Sequence, residues 1–192
     1  MGVAERRSRE RADRERRIVA TAREIAAREG WAAVTIRRLA DEIEYSQPVL
    51  YSHFASREAI VAAVALDGFA ELADALRQAG GASRDHDDVL RAAAGAYLAF
   101  ARAHPALYEA MFTMPTGLQF AAEDTRRELR DAFAALRAVA VPSDGGDDAE
   151  TRTETLWATL HGLAALERSG RIRPQAQDER LRLVVDVLFA RD

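Results

Sequence analysis

The chain has 192 residues, of which 48% are hydrophobic and 30% are charged, and this composition excludes general disorder. It contains no cysteine, which excludes disulfides, thiolate metal sites and cysteine nucleophiles, and its 4 scattered histidines leave little for any metal site. Because the sequence shows no apolar run of membrane-spanning length and no signal-peptide pattern, we expect a cytoplasmic protein without a membrane partner.

Long alanine-rich stretches and the lack of period-two alternation favour helix over strand, so we predict an all-α fold. The net charge of −4 is unevenly distributed: residues 1–60 carry 12 arginines and 10 acids, whereas residues 61–192 carry 15 arginines and 21 acids. Residues 1–17 hold seven arginines and four acids. On charge alone such an arm is typical of a solvated, frayed helix, so it indicates nucleic-acid binding only if a binding motif follows it.

The first predicted helix runs from Arg16 to Arg28, with apolar residues at helical spacing and Gly30 as a left-handed C-terminal cap. A short second helix is predicted from Ile36 to Ile43, and Thr35 is a suitable N-cap for it. A tight turn at Glu44 then leads into a third helix.

The third helix is predicted from Gln47 to Phe54, with Ser46 as its N-cap and Pro48 tolerated in its first turn. Ser56 is predicted to cap a fourth helix that begins at Arg57. Two short helices joined by a tight turn, each with one apolar face, are typical of a helix-turn-helix. In such a motif the second helix enters the major groove, where its N-terminal side chains reach base edges.

The sequence of residues 34–60, above all L-Y-S-H-F-A-S-R-E at 50–58, resembles the DNA-binding domain of the TetR family of transcriptional regulators, without gaps over residues 14–62. This resemblance implies a homodimer. Residues 1–60, including the basic arm, would form the domain that binds a double-stranded palindromic operator. Residues 61–192 would form a helical domain with a ligand pocket and the dimer interface. We further expect a repressor that a small-molecule effector releases, with no cofactor and no metal.

The resemblance also implies DNA contacts for particular residues. Arg37 and Gln47 would read bases, Val49 would touch a thymine methyl group, and Thr35 and Arg57 would bind phosphates. The full predicted set is Thr35, Arg37, Ser46, Gln47, Pro48, Val49, Tyr51, His53 and Arg57. Tyr51 and His53, assigned to the DNA backbone, fit half-buried packing groups as well.

One departure from the family pattern concerns the turn, where Glu44 stands at a position that usually carries glycine. The turn could be reshaped for this reason, and a carboxylate near phosphates would weaken DNA binding. The alternative function is therefore a helical small-molecule-binding or interaction protein with weak or lost DNA binding.

Beyond residue 80 the pattern predicts helices near 87–103, 105–113, 118–140, 149–169 and 177–190, and a surface loop at 142–148. This part resembles the regulatory domain of the same family, most clearly at W-A-T-L-H-G-L, residues 157–163. An apolar or aromatic effector is predicted to contact Tyr97, Phe100, Tyr108, Met111, Phe112, Trp157 and His161. Each aromatic residue of this set also fits ordinary core packing, and His161 is the strongest candidate for a ligand contact.

The last predicted helix is apolar over much of its circumference, which favours burial against a partner subunit over burial in a monomer core. The predicted dimer interface comprises Leu163, Leu166, Leu181, Val184, Val185 and Leu188. No Glu-x-x-His pair, phosphate-binding loop, Gly-x-Gly-x-x-Gly or His-Glu-x-x-His motif occurs, so we expect no enzyme, although sequence alone leaves a Ser/His/Asp site open. Sequence also leaves open whether the protein represses or activates.

Overall fold

The computed structural model of the protein describes residues 2–81, 85–120, 122–141 and 148–188. These ranges contain helices and no strand, which confirms the predicted all-α fold. Residues 142–147 of the predicted surface loop lie outside the described residues. The helices are α1 (Val3–Glu29), α2 (Ile36–Ile43), α3 (Gln47–His53), α4 (Arg57–Gly80), α5 (His86–Ala103), α6 (Pro105–Phe112), α7 (Arg127–Ala140), α8 (Ala149–Arg168) and α9 (Gln177–Leu183).

The chain forms two compact units, and α4 contributes residues to both. The first unit comprises Met1–Gly68 and His104–Thr125, and the second comprises Phe69–Ala103 and Arg126–Asp192. The first unit therefore includes α6, which the predicted boundary near residue 60 assigned to the regulatory part. That boundary remains a prediction about which part of the chain works as a domain.

Helix α1 begins much earlier than predicted, at Val3 instead of Arg16. Its first turn is capped, because the Gly2 backbone N–H donates to Glu5 Oε2 at 3.1 Å. Ion pairs one helical turn apart, such as Arg11 Nε to Glu15 Oε1 at 2.9 Å, support the segment that has no apolar face. The apolar pattern found only the buried part of the helix.

The core of the first unit lies between α1 and the two short helices. Ile18 and Ile25 of α1 and Leu39 and Leu50 of α2 and α3 are fully buried. The end of α1 differs from the prediction, because Gly30 has a φ of 82° and a ψ of 166°, which is not the left-handed helical conformation. The chain leaves α1 extended and enters a 3-10 turn at Trp31–Ala33.

Helix α6 packs against α1 and α4 inside the first unit. The Trp31 indole Nε1 donates to the Ala106 carbonyl oxygen at 2.8 Å. Gly68 of α4 faces α6 so closely that a Cβ there would lie 2.7 Å from Met111 Sδ and 2.9 Å from Leu107 Cδ1. The absence of a side chain at residue 68 therefore permits this helix contact.

Helix α7 begins at Arg127, nine residues later than residue 118, where the pattern predicted it. Gly117 has a φ of 67°, and the Thr125 hydroxyl donates to the Ala122 carbonyl oxygen at 2.8 Å while accepting from the Ala122 N–H at 2.9 Å. These hydroxyl bonds offer the backbone an alternative to the helix. The prediction of helix before Arg127 is therefore wrong.

The second unit is organised around α5, which packs against α7, α8 and α9. Its core contains the fully or almost fully buried side chains of Leu90, Tyr97, Leu98, Leu129, Leu136, Leu156 and Leu160. An ion pair joins α5 to α8, because Arg102 Nη1 lies 3.0 Å from Glu167 Oε1. The predicted final helix is α-helical only to Leu183 and continues as a π-helix over Val184–Leu188.

Candidate nucleic-acid interface

The buried face of α3 determines which of its side chains remain outside. Leu50 is fully buried beneath the helix, whereas Gln47, Pro48 and Val49 around it are exposed. Tyr51 keeps 54% of its surface exposed. A short helix that presents an uncovered tyrosine and valine beside polar groups has the composition of a recognition surface.

Only one of the two predicted N-cap side chains caps its helix in the structure. Thr35 caps α2 as predicted, since its Oγ1 accepts from the Arg38 N–H at 3.1 Å. Ser46 occupies the N-cap position of α3, but its side chain makes no capping hydrogen bond, contrary to the prediction. Its carbonyl oxygen accepts from Val49 N–H at 3.0 Å instead. The exposed Ser46 hydroxyl is thus not used by the helix end.

Two neighbouring arginines of α2 lie in different environments. Arg37 is 84% exposed, and its Nε is 4.0 Å from Asp41 Oδ2. Arg38 Nη2 instead lies 3.3 Å from Glu29 Oε1 and 3.4 Å from Glu42 Oε2, which ties α2 to the end of α1. Arg37 therefore extends from the surface, whereas Arg38 belongs to an ion-pair network.

Two residues that were predicted to contact the DNA backbone make contacts to other residues of the first unit. His53 keeps 5% of its side chain exposed, and its Nδ1 lies 3.3 Å from Glu15 Oε1 of α1. Arg57 Nε donates to the Val34 carbonyl oxygen at 2.6 Å, and its Nη2 donates to the Trp31 carbonyl oxygen at 2.6 Å. Both side chains hold α3 or α4 to neighbouring segments. For His53 this is the packing alternative that the sequence also allowed, whereas for Arg57 the sequence pattern did not indicate it.

The turn between α2 and α3 keeps a left-handed conformation despite its missing glycine. Glu44 has a φ of 59° and a ψ of 38°. The following residue completes the turn, because the Tyr45 N–H donates to the Ala40 carbonyl oxygen at 2.9 Å. On the other side, the Arg17 guanidinium lies 5.6 Å from the centre of the Tyr45 ring. The turn is therefore not reshaped, and the Glu44 side chain is exposed.

The residues predicted to contact an effector are divided between the two units. Tyr108, Met111 and Phe112 belong to α6 in the first unit, where the Tyr108 and Phe112 ring centres are 4.6 Å apart. The other four, Tyr97, Phe100, Trp157 and His161, belong to α5 and α8 in the second unit. Their assignment to an effector stays a prediction.

The four effector candidates of the second unit differ in burial. Tyr97 and Phe100 are buried, whereas Trp157 and His161 are half-buried. Burial lowers the pKa of the His161 imidazole below its ordinary value of 6.5, and the positive charge of Arg168 lowers it further. A neutral imidazole at pH 7 can donate one hydrogen bond and accept another.

The apolar residues predicted for a dimer interface fall into three groups. Leu181 and Val185 are buried in the second unit of the protomer itself, and Leu163 and Val184 are half-buried. Leu166 is 40% exposed, and Leu183, which adjoins the predicted set, is 52% exposed. Leu188 also belongs to the predicted set, but its side chain lies outside the described residues.

The described ranges contain neither a cluster of metal-binding side chains nor a membrane-spanning helix. No three or more His, Asp or Glu side chains come together there in a way that could hold a metal ion. Within the same ranges, no helix combines the length and apolar character needed to cross a membrane.

Two sequence families match the chain. Residues 18–64 match the family described as bacterial regulatory proteins, tetR family. Residues 90–188 match the tetracyclin repressor-like C-terminal domain. A helix-turn-helix-type transcriptional regulator of Mycobacterium tuberculosis is 34% identical over 146 residues, which are 74% of this chain and 65% of that protein. The chain thus matches slightly less than two thirds of that relative's length.

Solved structures share the fold. A protein of unknown function from Rhodococcus sp. RHA1 is 26% identical with a TM-score of 0.72, and the match covers 90% of each chain. A regulatory protein of the tetR family from Rhodococcus RHA1 is 18% identical with a TM-score of 0.62, and the match covers 93% of this chain and 98% of that one. Because the second structure is only 18% identical, its similarity shows the fold alone.

Proposed function

The chain belongs to the TetR family of transcriptional regulators, and from this premise we propose that it is a repressor that binds a palindromic operator as a homodimer. A small apolar or aromatic effector would release it from the DNA. We propose no catalytic role and no cofactor. Because the activity requires access to the chromosome, we also propose that the protein works in the cytoplasm.

The observation that carries the DNA-binding proposal is the division of α3 into two faces. Leu50 anchors one face in the core, while Gln47 and Tyr51, one turn apart, are exposed on one side of the helix and Val49 is exposed on the other side. A major groove accepts a helix of this kind, and the amide of glutamine and the methyl groups of valine suit adenine and thymine edges, respectively. Tyr51 and the Ser46 hydroxyl, which makes no capping hydrogen bond, would bind the DNA backbone.

Helix α2 supplies further contacts in this proposal. Arg37 is exposed enough to reach a base edge or a phosphate. Thr35 lies at the N-terminus of α2, where backbone N–H groups favour a phosphate. Arg57 is assigned mainly to the fold here, because two of its nitrogens already donate to backbone carbonyls.

The second unit would supply the dimer contact and the effector site. Leu166 of α8 and Leu183 of α9 expose apolar surface that a second copy of the chain could cover. Trp157 and His161 lie four residues apart on α8, hence on one helix face, and both are half-buried. An aromatic ring and a neutral imidazole would suit an apolar or aromatic effector with one polar group.

The first experiment is a gel shift with the DNA upstream of the protein's own reading frame, followed by selection from a random duplex library. The recovered site should be palindromic. Arg37→Ala should cost about 1–3 kcal/mol at one base pair of each half-site and relax specificity there. Arg38→Ala is the matched control, because Arg38 is engaged with Glu29 and Glu42 and should leave specificity unchanged.

Equal losses on operator and random DNA in the Arg37 variant would contradict its base-reading role. A wild-type chain that binds no DNA would instead favour the alternative, a helical ligand-binding or interaction protein. The specific observation behind that alternative is the exposed Glu44 carboxylate beside the proposed DNA surface. A reporter gene behind the recovered operator then distinguishes a repressor from an activator.

A further inference from the structure

The first turns of α1 extend beyond the core that the rest of the helix helps to build. The helix begins at Val3, but its first buried residue is Ile18. At a rise of 1.5 Å per residue, residues 3–17 form a projection roughly 21 Å long. Its few apolar residues do not form a stripe, and Val3 is 60% exposed. The projection is therefore not built to pack into an apolar core.

Three arginines share one face of this projection. Arg7, Arg11 and Arg14 are spaced by four and three residues, which places them in one row along the helix. The row continues at seven-residue steps from Arg11 into Ile18 and Ile25, both fully buried. The face of α1 that packs against the bundle is thus lined by arginine before the bundle begins. We call Arg7, Arg11 and Arg14 the arginine stripe.

The arginine stripe lies next to α3. Arg11 Nη2 donates to the Ser52 carbonyl oxygen near the end of α3 at 3.3 Å. One helical turn further along α1, Glu15 Oε1 lies 3.3 Å from His53 Nδ1. These two contacts hold the projection at the C-terminal end of the helix that we assign to the major groove.

The charge of the projection is positive and only partly neutralised. Within the described part of the chain, Arg7 and Arg14 make no ion pair and are exposed. Three other arginines of the projection each pair with an acid: Arg6 with Glu10, Arg11 with Glu15 and Arg16 with Asp13. The stripe therefore holds two guanidinium groups whose charge is not compensated by a nearby carboxylate.

We propose that the arginine stripe binds phosphates of the DNA backbone beside the half-site read by α3. This inference rests on the proposed function, since it places the DNA at α3. Guanidinium groups form paired hydrogen bonds with phosphate oxygens, and a row of them suits a polyanion better than an apolar protein surface. Arginines continue the face of α1 that is buried further along the helix. We therefore infer that the surface which these first turns contact is charged.

The test compares two triple variants of the full chain. R7Q/R11Q/R14Q removes the stripe, and R6Q/R9Q/R16Q removes the same charge from other faces of the same turns. Fluorescence anisotropy with a random-sequence duplex and with the selected operator is measured over a range of salt concentrations. Each arginine–phosphate pair that the substitutions abolish should reduce the slope of log affinity against log salt by about 0.9, so this slope should fall by roughly two to three per protomer in the stripe variant. In the control variant it should fall by less than about one.

A second arm locates the contact on the DNA. Duplexes trimmed progressively outside the operator should weaken binding by wild type and by the control variant but not by the stripe variant, which no longer binds the flanking phosphates. Circular dichroism reports whether each triple variant keeps its helix content. If the stripe triple unfolds, Arg14→Gln and Arg16→Gln give the same comparison with single changes.

The outcomes separate this inference from the proposed function. Equal slopes in the two triple variants would show a diffuse positive field and overturn the stripe, while the function would stand. A wild type that binds neither duplex would overturn the function and the stripe together. A slope reduced only in the stripe variant, together with its indifference to trimming, supports the stripe.

Discussion

The guanidinium of Arg57, at the start of α4, donates from Nε to the carbonyl oxygen of Val34 in the loop before α2. Val34 is fully buried, so its carbonyl group has little access to water. A second donation from the same guanidinium reaches the Trp31 carbonyl oxygen. One planar side chain thus satisfies two loop carbonyls, and this use requires the fork geometry of arginine.

The main effect of replacing Arg57 should therefore be on the stability of the fold and not on DNA binding. Arg57→Ala leaves both carbonyls without these donors, and hydrogen bonds to charged groups contribute about 1.5–3 kcal/mol each, so the two together predict a loss of about 3–6 kcal/mol. Arg57→Lys keeps the charge but cannot donate to both carbonyls as a fork. Chemical unfolding should show both variants destabilised. A lysine variant with wild-type stability and an alanine variant that only weakens DNA binding would restore the phosphate role.

The left-handed conformation of Glu44 predicts that glycine at this position stabilises the protein. A residue with a Cβ in this conformation costs about 1–2 kcal/mol, partly offset by the larger entropy that glycine loses on folding, so Glu44→Gly should gain about 0.5–1 kcal/mol. Glu44→Ala keeps the strain and removes only the charge. In thermal unfolding the glycine variant should be the most stable, and the alanine variant and the wild type should have similar stability. Equal stability of all three variants would contradict the strain.

The same pair of variants separates strain from charge in DNA binding. If the exposed carboxylate repels phosphates, both Glu44→Gly and Glu44→Ala should bind DNA more tightly than wild type, with a difference that shrinks as salt rises. A gain confined to the glycine variant would assign the effect to the backbone.

The exposed leucines of the second unit predict the dimer contact. Leu166→Glu combined with Leu183→Glu places charge on surface that is already open in the protomer, so it should convert a dimer into folded monomers. Leu181→Glu is the contrasting change, because Leu181 is buried within the protomer and its replacement should unfold the second unit. Light scattering at micromolar concentration gives the mass. A double variant that stays dimeric, or a monomeric wild type, would refute this interface.

The lowered pKa of His161 predicts a specific dependence of stability on pH. Because burial depresses its pKa in the folded state, the unfolded chain binds a proton first as the pH falls through 6.5. This contribution to stability is present at neutral pH and is lost toward acid. Chemical unfolding between about pH 7 and pH 5 should therefore show a smaller loss for His161→Gln than for wild type. Parallel curves would contradict the burial of the imidazole.

Local sequence signals predicted the helix-turn-helix well, because caps and apolar spacing act within a few residues. The bounds of α2 and the caps Thr35 and Ser56 were correct, and Ser56 Oγ accepts from the Ala59 N–H at 3.2 Å. Apolar spacing alone could not show that α1 begins at Val3, because charged helix formers and ion pairs stabilise its first turns.

Long-range contacts escaped the sequence for a different reason. The partners of Arg57 and His53 lie 23 and 38 residues away, and no local pattern marks a carbonyl or a carboxylate at that distance. The DNA-contacting roles of these two residues came from the resemblance and stay predictions, while each side chain has a partner within the first unit. Gln47, Val49 and Tyr51 are exposed, as their predicted DNA contacts require, and the exposure of Tyr51 does not fit the half-buried packing that the sequence also allowed.

The close approach of α4 and α6 at Gly68 implies that a larger residue at this position requires side chains of α6 to move or to change. Glycine within a helix costs about 1 kcal/mol relative to alanine, so drift toward alanine would be expected wherever space allowed it. Here an added methyl group would collide with the side chains of Met111 and Leu107. A related protein that carries a larger residue at this position therefore needs a shifted or smaller side chain on α6, and the two positions should tend to covary among homologues.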